Sequence, residues 1–413
     1  MGLAARAGLF LLLEHTVVSF KAIFHRYKTM TEQVSGQNID TRPPINWSVT
    51  TVFSLTFLTA LILVPWYGIV YGYSAWAWIF FAVLLVLNGI GIGSGYHRLW
   101  SHRTYEAHPA LKWFLAIFGG MSLQNSIIIW CARHRVHHRD VDNNDKDPYS
   151  IGRGFWFAHI GWMLRDYQSG IVDYNLVPDL QKDPVVAWQH RWYWTLVWTT
   201  NVGVPVILGW LTGDIIGVFL VAGILRLVVS HHVTFFINSL AHMWGTQPYT
   251  DENSARDNHF LALITYGEGY HNYHHLFQSD YRNGIRWWHL DLNKWFISTC
   301  ALLGLAKNRK RAPQFKVLRA RLNMEFKAVR NRLERSNDSS TWKELLEQEY
   351  AQFVDTIRQW QQLQIERVQS GKQKLAERFE TETASLAARY RQLERRLKMQ
   401  QKRVALLSAQ VSL

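Results

Sequence analysis

From Gly267 to His275 the sequence reads GEGYHNYHH. Residues i, i+3 and i+4 of a helix share one face, so His271, His274 and His275 can turn three imidazoles toward one point. Protonated imidazoles packed together would repel one another, and a bound metal would remove that repulsion. The stretch therefore predicts a metal site built on a short helix.

Two more histidine boxes lie upstream of this stretch. His134-Arg-Val-His137-His138 repeats the HxxHH spacing, and His97-Arg-Leu-Trp-Ser-His102 precedes it. A lone histidine is usually a surface or satisfied core residue, but that interpretation does not account for three boxes among apolar segments. Imidazole as the only repeated ligand favours transition metals over Ca or Mg, and structural zinc would want four ligands, often thiolates. Eight box histidines indicate two redox metals.

The spacing of the first box adds a geometric expectation. At about 100° per residue, His97 and His102 differ by about 140° around a helix, so they cannot share a face of one continuous helix. We expect the helix to end between them, at the point where it leaves the membrane.

Four apolar stretches are long enough to cross about 30 Å of hydrocarbon. They cover residues 47–66, 74–96, 192–211 and 215–237. The loops 67–73 and 212–214 are short, and their only charge is Asp214, so the spans form two hairpins. Arg226 inside the fourth span is a functional candidate because a charge in that position is costly. The predicted fold is an all-α membrane protein: two helical hairpins, a cytosolic helical domain carrying the histidine boxes, and a C-terminal helical extension.

Composition excludes several functional classes. The chain has 20 Trp and 17 Tyr in 413 residues, and such a high content of these residues is typical of proteins that contact membrane interfaces. Its net charge of +14 is not accompanied by a motif for base readout, which argues against nucleic acid and favours anionic lipid headgroups or an acidic electron carrier. The two cysteines, Cys131 and Cys300, form no CxxC, so neither a disulfide framework nor an iron–sulfur centre is encoded.

Basic residues predict the orientation. Lys and Arg flank the boxes and precede the first span but are missing from both interspan loops, so the positive-inside rule places both termini and all three boxes in the cytoplasm. Residues 1–41 are expected to form an amphipathic surface helix and a linker, not a signal peptide.

Four alternate glycines end the second span, and they favour close helix packing and a slender apolar ligand channel equally; these are Gly89, Gly91, Gly93 and Gly95.

Residues 314–413 change character to charged, Gln-rich helix. An apolar seam at 4,3 spacing predicts a coiled coil or an antiparallel helical hairpin; it comprises Leu346, Tyr350, Phe353, Ile357, Trp360, Leu375, Phe379, Leu386, Tyr390, Leu393 and Leu397. No histidine occurs here, so we expect a role in assembly or regulation. A chain cut after about Pro313 should then keep its metal chemistry.

The motifs HRLWSH, HRVHH, DPYSIGRGFWFAHIGWML, NSLAH and GEGYHNYHHLFQSDYRNGIRW together resemble the membrane-bound Δ9 fatty acyl desaturases, the stearoyl-CoA desaturase family, over residues 42–311. The third box is most similar to bacterial and fungal members. The resemblance implies two irons, O2 as co-substrate, and insertion of a cis double bond into a saturated acyl chain during unsaturated fatty acid biosynthesis. It implies no catalytic residue beyond the iron ligands, which would be His97, His102, His134, His137, His138, His242, His271, His274 and His275, with Asn238 acting through water.

The substrate-binding positions depart from the family. Ala132-Arg133 stands where the family's acyl-CoA enzymes have Arg-Asp, and only Arg153 remains of a paired Arg, with Gly152 before it. Asn125 and Trp162 are kept. The resemblance therefore implies substrate contacts at Asn125, Arg153 and Trp162, with acyl-CoA as the first expectation and acyl carrier protein or lipid-bound chains as alternatives.

Electrons should come from a separate protein, because the chain has neither a thiolate cluster nor a His-Pro-Gly-Gly haem motif. A ferredoxin or a cytochrome b5-like carrier is expected. The competing functions are a membrane di-iron hydroxylase or alkane monooxygenase, and a membrane scaffold recruiting partners or oligomerising through its C-terminal helices. The expected location is a bacterial inner membrane, or the endoplasmic reticulum membrane in a eukaryote.

Overall fold

The computed structural model of the chain describes residues 42–335, 340–374 and 381–410. The predicted N-terminal segment 1–41 lies outside the described residues, as do Leu375 and Phe379 of the predicted seam. The main helices are α1 (Trp47–Val70), α2 (Ala75–Ser101), α3 (Pro109–Gly120), α4 (Ile127–Arg139), α5 (Pro184–Arg191), α6 (Tyr193–Thr212), α7 (Ile215–His242), α8 (His259–Ile264), α9 (His271–Leu276), α10 (Leu292–Leu302), α11 (Gln314–Arg335), α12 (Ser340–Lys374) and α13 (Thr381–Gln410). Short helical turns cover Ile151–Arg153, Phe157–Gly161, Trp162–Leu164, Gln168–Gly170, Tyr174–Leu176 and Pro178–Gln181. One two-stranded antiparallel pair joins β1 (Glu106–Ala107) to β2 (Ala306–Lys307).

The chain divides into two compact units. Among the described residues, the first unit takes in the chain up to Ile92 together with Ala116–Met243, and the second takes in Gly93–Leu115 and everything from Trp244 onward. The first unit therefore holds the second histidine box and His242. The second unit holds the first and third boxes.

Four helices of the described chain, α1, α2, α6 and α7, are long and apolar enough to cross a membrane, as predicted. Each begins within one residue of the predicted span and ends between one and five residues past it. The hairpin turns are fixed by side chains: Ser74 accepts the Ala77 N–H at 3.2 Å to begin α2, and Asp214 accepts the Gly217 N–H at 2.8 Å to begin α7. Asp214 also accepts the Ser74 N–H at 3.2 Å, which ties the two hairpins together.

Helix α1 shows how the first unit meets lipid. Leu55, Ile62 and Ile69 are 61%, 56% and 85% exposed, and water would disfavour such a surface. Lipid hydrocarbon does not disfavour this apolar surface, and a helix satisfies its own backbone hydrogen bonds inside the membrane. The opposite side packs into a core that joins α1 to α2 and α7, built from Val64, Ala77, Leu84, Met121, Val218, Leu220, Val221 and Ala222. The chain is an integral membrane protein.

The glycines that end α2 serve close packing. A Cβ on Gly91 would lie 2.3 Å from the backbone nitrogen of Gly119, inside the first unit. In the second unit, a Cβ on Gly93 would lie 2.1 Å from the Asn293 side chain, and one on Gly95 would lie 3.0 Å from Leu115. Of the two alternatives, close packing is the one found at these three positions.

Buried Arg226 is held by neutral oxygens of the first unit. Its guanidinium donates to the side chains of Asn88 and Asn201 and to the Met121 carbonyl. These contacts join α2, α6 and α7, so the charge in the fourth span has a structural role in the helix packing.

The C-terminal helices form a bundle inside the second unit. Contacts of Arg332 with Ser408 and of Glu325 with Gln401 set α11 and α13 parallel. Contacts of Glu349 with Arg403 and of Glu366 with Arg389 set α12 and α13 antiparallel. The seam packs against α11 in one core, with Phe315, Leu318, Leu322, Phe326, Val329, Leu333, Leu346, Phe353, Leu363, Leu393, Leu397 and Val404 buried. The antiparallel-hairpin alternative is therefore found, and the described part of the seam packs within one chain.

Candidate metal centre

The third box occupies α9 in the second unit and splits its three imidazoles between two directions. Nε2 of His271 lies 3.1 Å from Nε2 of His275, whereas Nε2 of His274 lies 2.9 Å from Nε2 of His97. The expectation that all three converge on one point is wrong. Adjacent residues diverge by about 100° around a helix, so His274 and His275 point to different sides.

The first box is brought together by an unusual helical turn. The end of α2, Gly91–Ser101, is wound as a π-helix, and the His102 N–H donates to the His97 carbonyl at 3.1 Å, an i to i+5 bond. The two rings consequently lie 4.8 Å apart between centroids. The helix does end between them, at Ser101, but the wider turn still lets His97 and His102 face one way. Their ligand nitrogens and that of His274 all lie within 4.8 Å of one another.

The second box, on α4 in the first unit, follows the same rule as the third. His134 and His138 form a pair with ring centroids 4.6 Å apart, while His137 faces His242 at 5.3 Å. In both HxxHH boxes the outer histidines, four residues apart, pair with each other, and the middle one joins a histidine from elsewhere. Ligand atoms within each pair lie no more than 4.8 Å apart.

A carboxylate in the second unit orients the first box. Glu268 Oε2 lies 2.9 Å from His97 Nδ1, and its other oxygen accepts from Arg98 at 2.8 Å. Burial alone would raise the pKa of Glu268, but Arg98 and His97 hold it well below its usual range. An ionised Glu268 keeps the proton on Nδ1 of His97, which leaves the Nε2 lone pair for a metal.

The two glycines that flank Glu268, Gly267 and Gly269, allow it to lie beside His97. Gly267 has φ +104°, and a Cβ there would lie 2.6 Å from Asp291. A Cβ on Gly269 would lie 2.2 Å from the backbone nitrogen of Ala262. Only glycine on both sides lets the chain run this close to its neighbours and present the carboxylate inward.

The second box has equivalent support in the first unit. Both oxygens of buried Asp147 lie 3.0 Å from His137 Nδ1, and Tyr149 Oη lies 3.2 Å from His134 Nδ1. Asp147 is itself fixed by the backbone N–H groups of Asp142 and Tyr149. Burial raises the pKa of Tyr149 well above its usual range, so its hydroxyl stays protonated. This carboxylate–histidine pattern is typical of metal ligands.

The residues fit a transition metal. Two imidazole nitrogens bound to one metal at roughly 2.1 Å with an angle near 90° lie about 3.0 Å apart, close to the 2.9 Å and 3.1 Å of the two Nε2 pairs. An all-nitrogen set suits iron, zinc, copper or nickel. Asn238 is the last residue of the regular part of α7, half-buried and four residues before His242.

The predicted substrate residues lie in the first unit and differ in surroundings. The guanidinium of Arg153 stacks on Phe157 and Tyr167, 3.7 Å and 4.4 Å from their ring centroids. Exposed Asn125 has φ +75° and donates its backbone N–H to the Tyr193 hydroxyl at 2.9 Å. Trp162 lies 5.1 Å from Tyr149 between ring centroids, and its buried Nε1 has no hydrogen-bond partner among the described residues.

The two departures from the family pattern have structural reasons. Ala132 is fully buried, so this position cannot carry a larger charged side chain without rearrangement. A Cβ on Gly152 would lie 2.5 Å from the side-chain oxygen of Asn144. The cation next to Trp162 is instead Arg133, 5.7 Å from the ring centroid, with Nε donating to the Gly170 carbonyl at 3.0 Å.

Sequence reasoning missed the orienting residues Glu268, Asp147 and Tyr149. A signal was present, because Glu268 stands inside GEGYHNYHH and the other two inside the DPYS motif. An acidic residue within or just after a histidine box could have been proposed as a partner of Nδ1.

Helices that span a membrane, together with carboxylate-oriented histidine boxes, define a histidine-rich membrane metalloprotein. The model of the family described as "Fatty acid desaturase" matches residues 74–304. The chain belongs to the fatty acid desaturase family.

Curated relatives agree with this assignment. The chain is 43% identical over 252 residues to a "Probable acyl-CoA desaturase" of Schizosaccharomyces pombe, covering 61% of this chain and 52% of that protein. It is 36% identical over 311 residues to an "Acyl-CoA desaturase" of Cyprinus carpio, covering 73% and 90%, and 34% identical to an "sn-2 palmitoyl-lipid 9-desaturase" of Nostoc sp., covering 66% and 92%. The chain thus spans about half the length of its fungal relative and nearly all of the other two.

Proposed function

We propose that this protein is an oxygen-dependent fatty acyl desaturase that binds two irons through the nine histidines of the predicted ligand set, with Asn238 acting through water. The observation that carries the proposal is the orientation of His97. Its Nδ1 is held by Glu268 and its Nε2 lies 2.9 Å from that of His274. Histidines oriented in this way, on both units, support ligand roles better than structural ones.

The reaction removes two hydrogens from adjacent methylenes, which no side-chain acid or base can do. Bound irons would supply the O2 activation that this step needs. The atoms balance as –CH2–CH2– + O2 + 2 electrons + 2 protons giving –CH=CH– + 2 H2O. The protein's own residues orient the ligands, and burial of the boxes keeps water away, since His137, His242, His271 and His274 are each less than 5% exposed.

For the substrate we propose a saturated acyl-CoA, with the double bond placed at Δ9. The names of the relatives support a thioester of CoA, although one of them is named for a lipid-bound palmitoyl chain. Arg133 and Arg153 could pair with the phosphates of an anionic headgroup, and the Trp162 Nε1–H could donate to a carbonyl oxygen. Acyl carrier protein and lipid-bound chains are the alternatives that assays must include.

We propose a cytosolic active site and cytosolic termini, in a bacterial inner membrane or an endoplasmic reticulum membrane. The positive-inside distribution of Lys and Arg supports this orientation. Electrons would come from an external ferredoxin or cytochrome b5-like protein. Oligomerisation through the C-terminal helices stays a prediction, although the described part of the apolar seam packs within one chain.

The test is expression in a host whose own desaturase is deleted, followed by gas chromatography of the fatty acids and metal analysis of the purified protein. We expect monounsaturated chains and about two irons per chain. His274→Ala should abolish both product and iron at its site. The matched control is His108→Ala, because His108 is exposed and outside the boxes.

The product separates the competing functions. An alcohol in place of an alkene would indicate a hydroxylase. No product with no bound iron would favour a scaffold. Full activity in His274→Ala would contradict the ligand assignment.

A further inference from the structure

One tyrosine stands inside the third box, and none of the orienting contacts described above uses its side chain. Tyr270 directly precedes His271, and its carbonyl accepts the His274 N–H at 3.2 Å at the start of α9. The tyrosine is 2% exposed. An electron that leaves its ring therefore has a short route, through one peptide bond or one hydrogen bond, to two residues of the predicted ligand set.

The hydroxyl of Tyr270 faces a base. Its oxygen lies 3.2 Å from Nδ1 of His259, the first residue of α8. The backbone N–H of Leu290 hydrogen-bonds to the same hydroxyl oxygen, so the hydroxyl hydrogen is left to point at the His259 nitrogen. A side chain at this distance is placed to take up a proton. His259 is itself exposed, so the proton can pass on to the surroundings.

Backbone packing brings Tyr270 and His259 together. The Asn258 N–H donates to the Gly269 carbonyl at 2.8 Å, which sets the two residues that follow, His259 and Tyr270, side by side. A Cβ on Gly284 would lie 2.9 Å from the Tyr270 ring, so glycine at this position leaves the room that the ring occupies. The tyrosine and its base are therefore held in a fixed geometry.

Two more aromatic side chains continue from Tyr270 to the surface of the second unit. The His289 ring stacks on the Tyr270 ring with centroids 4.6 Å apart and planes at 14°, and Trp288 meets His289 edge-on at 4.5 Å. The Lys294 ammonium fixes this segment by donating to the carbonyls of Arg286 and His289 at 2.8 and 3.1 Å. Trp288 is 46% exposed. The buried tyrosine is thus connected, through His289, to a ring that small molecules can reach.

The proposed reaction consumes four electrons for each O2 that becomes two water molecules. The external carrier supplies two of them, and the acyl chain supplies the other two when it loses two hydrogens. When O2 reacts with the reduced site and no acyl chain is bound, the second pair of electrons has to come from elsewhere. Without a dedicated donor, the oxidised site would take them from the side chains around it.

We propose that Tyr270, with His259 as its base, is a redox-active site that supplies these electrons one at a time and protects the metal site during turnover without substrate. The proposal rests on the proposed function. In each step the Tyr270 ring loses one electron to the oxidised metal site, its O–H bond breaks, and the proton goes to His259, leaving a neutral tyrosyl radical. A small one-electron reductant, such as a thiol or ascorbate, returns an electron at Trp288, and the proton returns from His259. Two such steps, with protons from water, complete the reduction of O2.

Freeze-quench electron paramagnetic resonance tests the proposal on the full-length, iron-loaded protein in bilayer nanodiscs. The metal site is reduced with dithionite, excess dithionite is removed, and O2 is added without an acyl substrate. The variants are Tyr270→Phe, which keeps the ring, and His259→Gln, which keeps a hydrogen-bond acceptor but cannot hold the proton. The matched control is Tyr105→Phe, because Tyr105 is a buried tyrosine of the same unit whose hydroxyl donates to a carbonyl, that of Ser94, at 2.8 Å.

We expect a tyrosyl radical in wild type and in Tyr105→Phe, and roughly tenfold less of it in Tyr270→Phe and His259→Gln. Protein grown with ring-deuterated tyrosine should give a narrower signal, which assigns the radical to tyrosine. Iron content should be equal in all four proteins. An undiminished radical signal in Tyr270→Phe would overturn the proposal. So would a wild-type site that O2 oxidises without forming a protein radical.

The lifetime of the protein tests the protective role. Over repeated cycles of dithionite reduction and O2 addition without substrate, wild type should lose iron severalfold more slowly than Tyr270→Phe, and ascorbate should extend this lifetime in wild type alone. Initial desaturation rates with acyl-CoA should be equal, because the acyl chain then supplies the electrons. Equal rates of iron loss would overturn the protective role.

Failure of this proposal can be distinguished from failure of the proposed function. Wild type that forms alkene from acyl-CoA but no tyrosyl radical without substrate would overturn the role of Tyr270 alone. Wild type that binds no iron, or that binds iron and forms no alkene, would contradict the proposed function and the role of Tyr270 with it.

Discussion

The Nδ1 atom of His97 lies 2.9 Å from Oε2 of Glu268. We predict that Glu268→Gln lowers iron affinity roughly 10–100-fold, because the amide no longer fixes the ring with a charged acceptor. Arg98 keeps Asp291 as a partner at 2.9 Å, so the fold should survive. Competition with a graded chelator measures the affinity.

Glu106→Gln is the control for this change, since Glu106 is an exposed glutamate on β1. It should leave iron affinity unaltered. Wild-type affinity in Glu268→Gln, together with lost affinity in His97→Ala, would show that the carboxylate does not support the ligand.

How much of this structure can be predicted from the sequence depends on how far apart in the chain the interacting residues lie. The spans follow from local composition, and the box histidines follow from spacing. The divergence of His274 from His275 follows from the rotation of about 100° per residue around a helix, which can be applied to the sequence directly. The π-turn that turns His102 toward His97, and the approach of Glu268 to His97 across 171 positions, depend on tertiary packing that one sequence does not encode locally.

A buried carboxyl predicts a pH dependence of stability. Burial raises the pKa of Asp257 to about 7, with the Tyr273 N–H donating to it at 3.1 Å. The folded-state pKa lies above the unfolded value of about 3.9, so the folded protein binds the extra proton between these values. The stabilising contribution is complete below about pH 4 and is lost as pH rises through 7.

We therefore expect Asp257→Asn to gain thermal stability relative to wild type as pH rises from 5.5 to 8. Melting temperatures of the two proteins across this range measure the difference. A constant difference would mean that Asp257 titrates as in water.

Residues on both sides of the predicted domain border at residue 313 are in contact. We therefore expect the C-terminal bundle to support the third box. Val317 and Ala320 of α11 pack against Tyr249 and Tyr273, and Tyr273 lies between two box histidines. We predict that Val317→Ala and Val404→Ala each destabilise the protein by about 1–3 kcal/mol, because both remove buried methyl groups. Only Val317→Ala should also weaken iron binding. Denaturation and chelator competition measure the two effects, and equal iron affinities would show that the contact is purely structural.

The same packing changes our expectation for a chain that ends at Pro313. The sequence alone predicts that such a chain keeps its metal chemistry. The structure places one support of the third box just before this point and a second beyond it: Asp280 accepts both the Tyr273 hydroxyl and the Ala312 N–H at 2.8 Å, and α11 covers Tyr249 and Tyr273. Cutting there would expose two tyrosines that are now 8% and 1% exposed. We now predict that the truncated protein keeps its four spans, seen as helical circular dichroism in detergent, but retains less iron and loses desaturation. An iron-loaded, active truncation would restore the border at residue 313 and leave the bundle with a role in assembly or regulation alone.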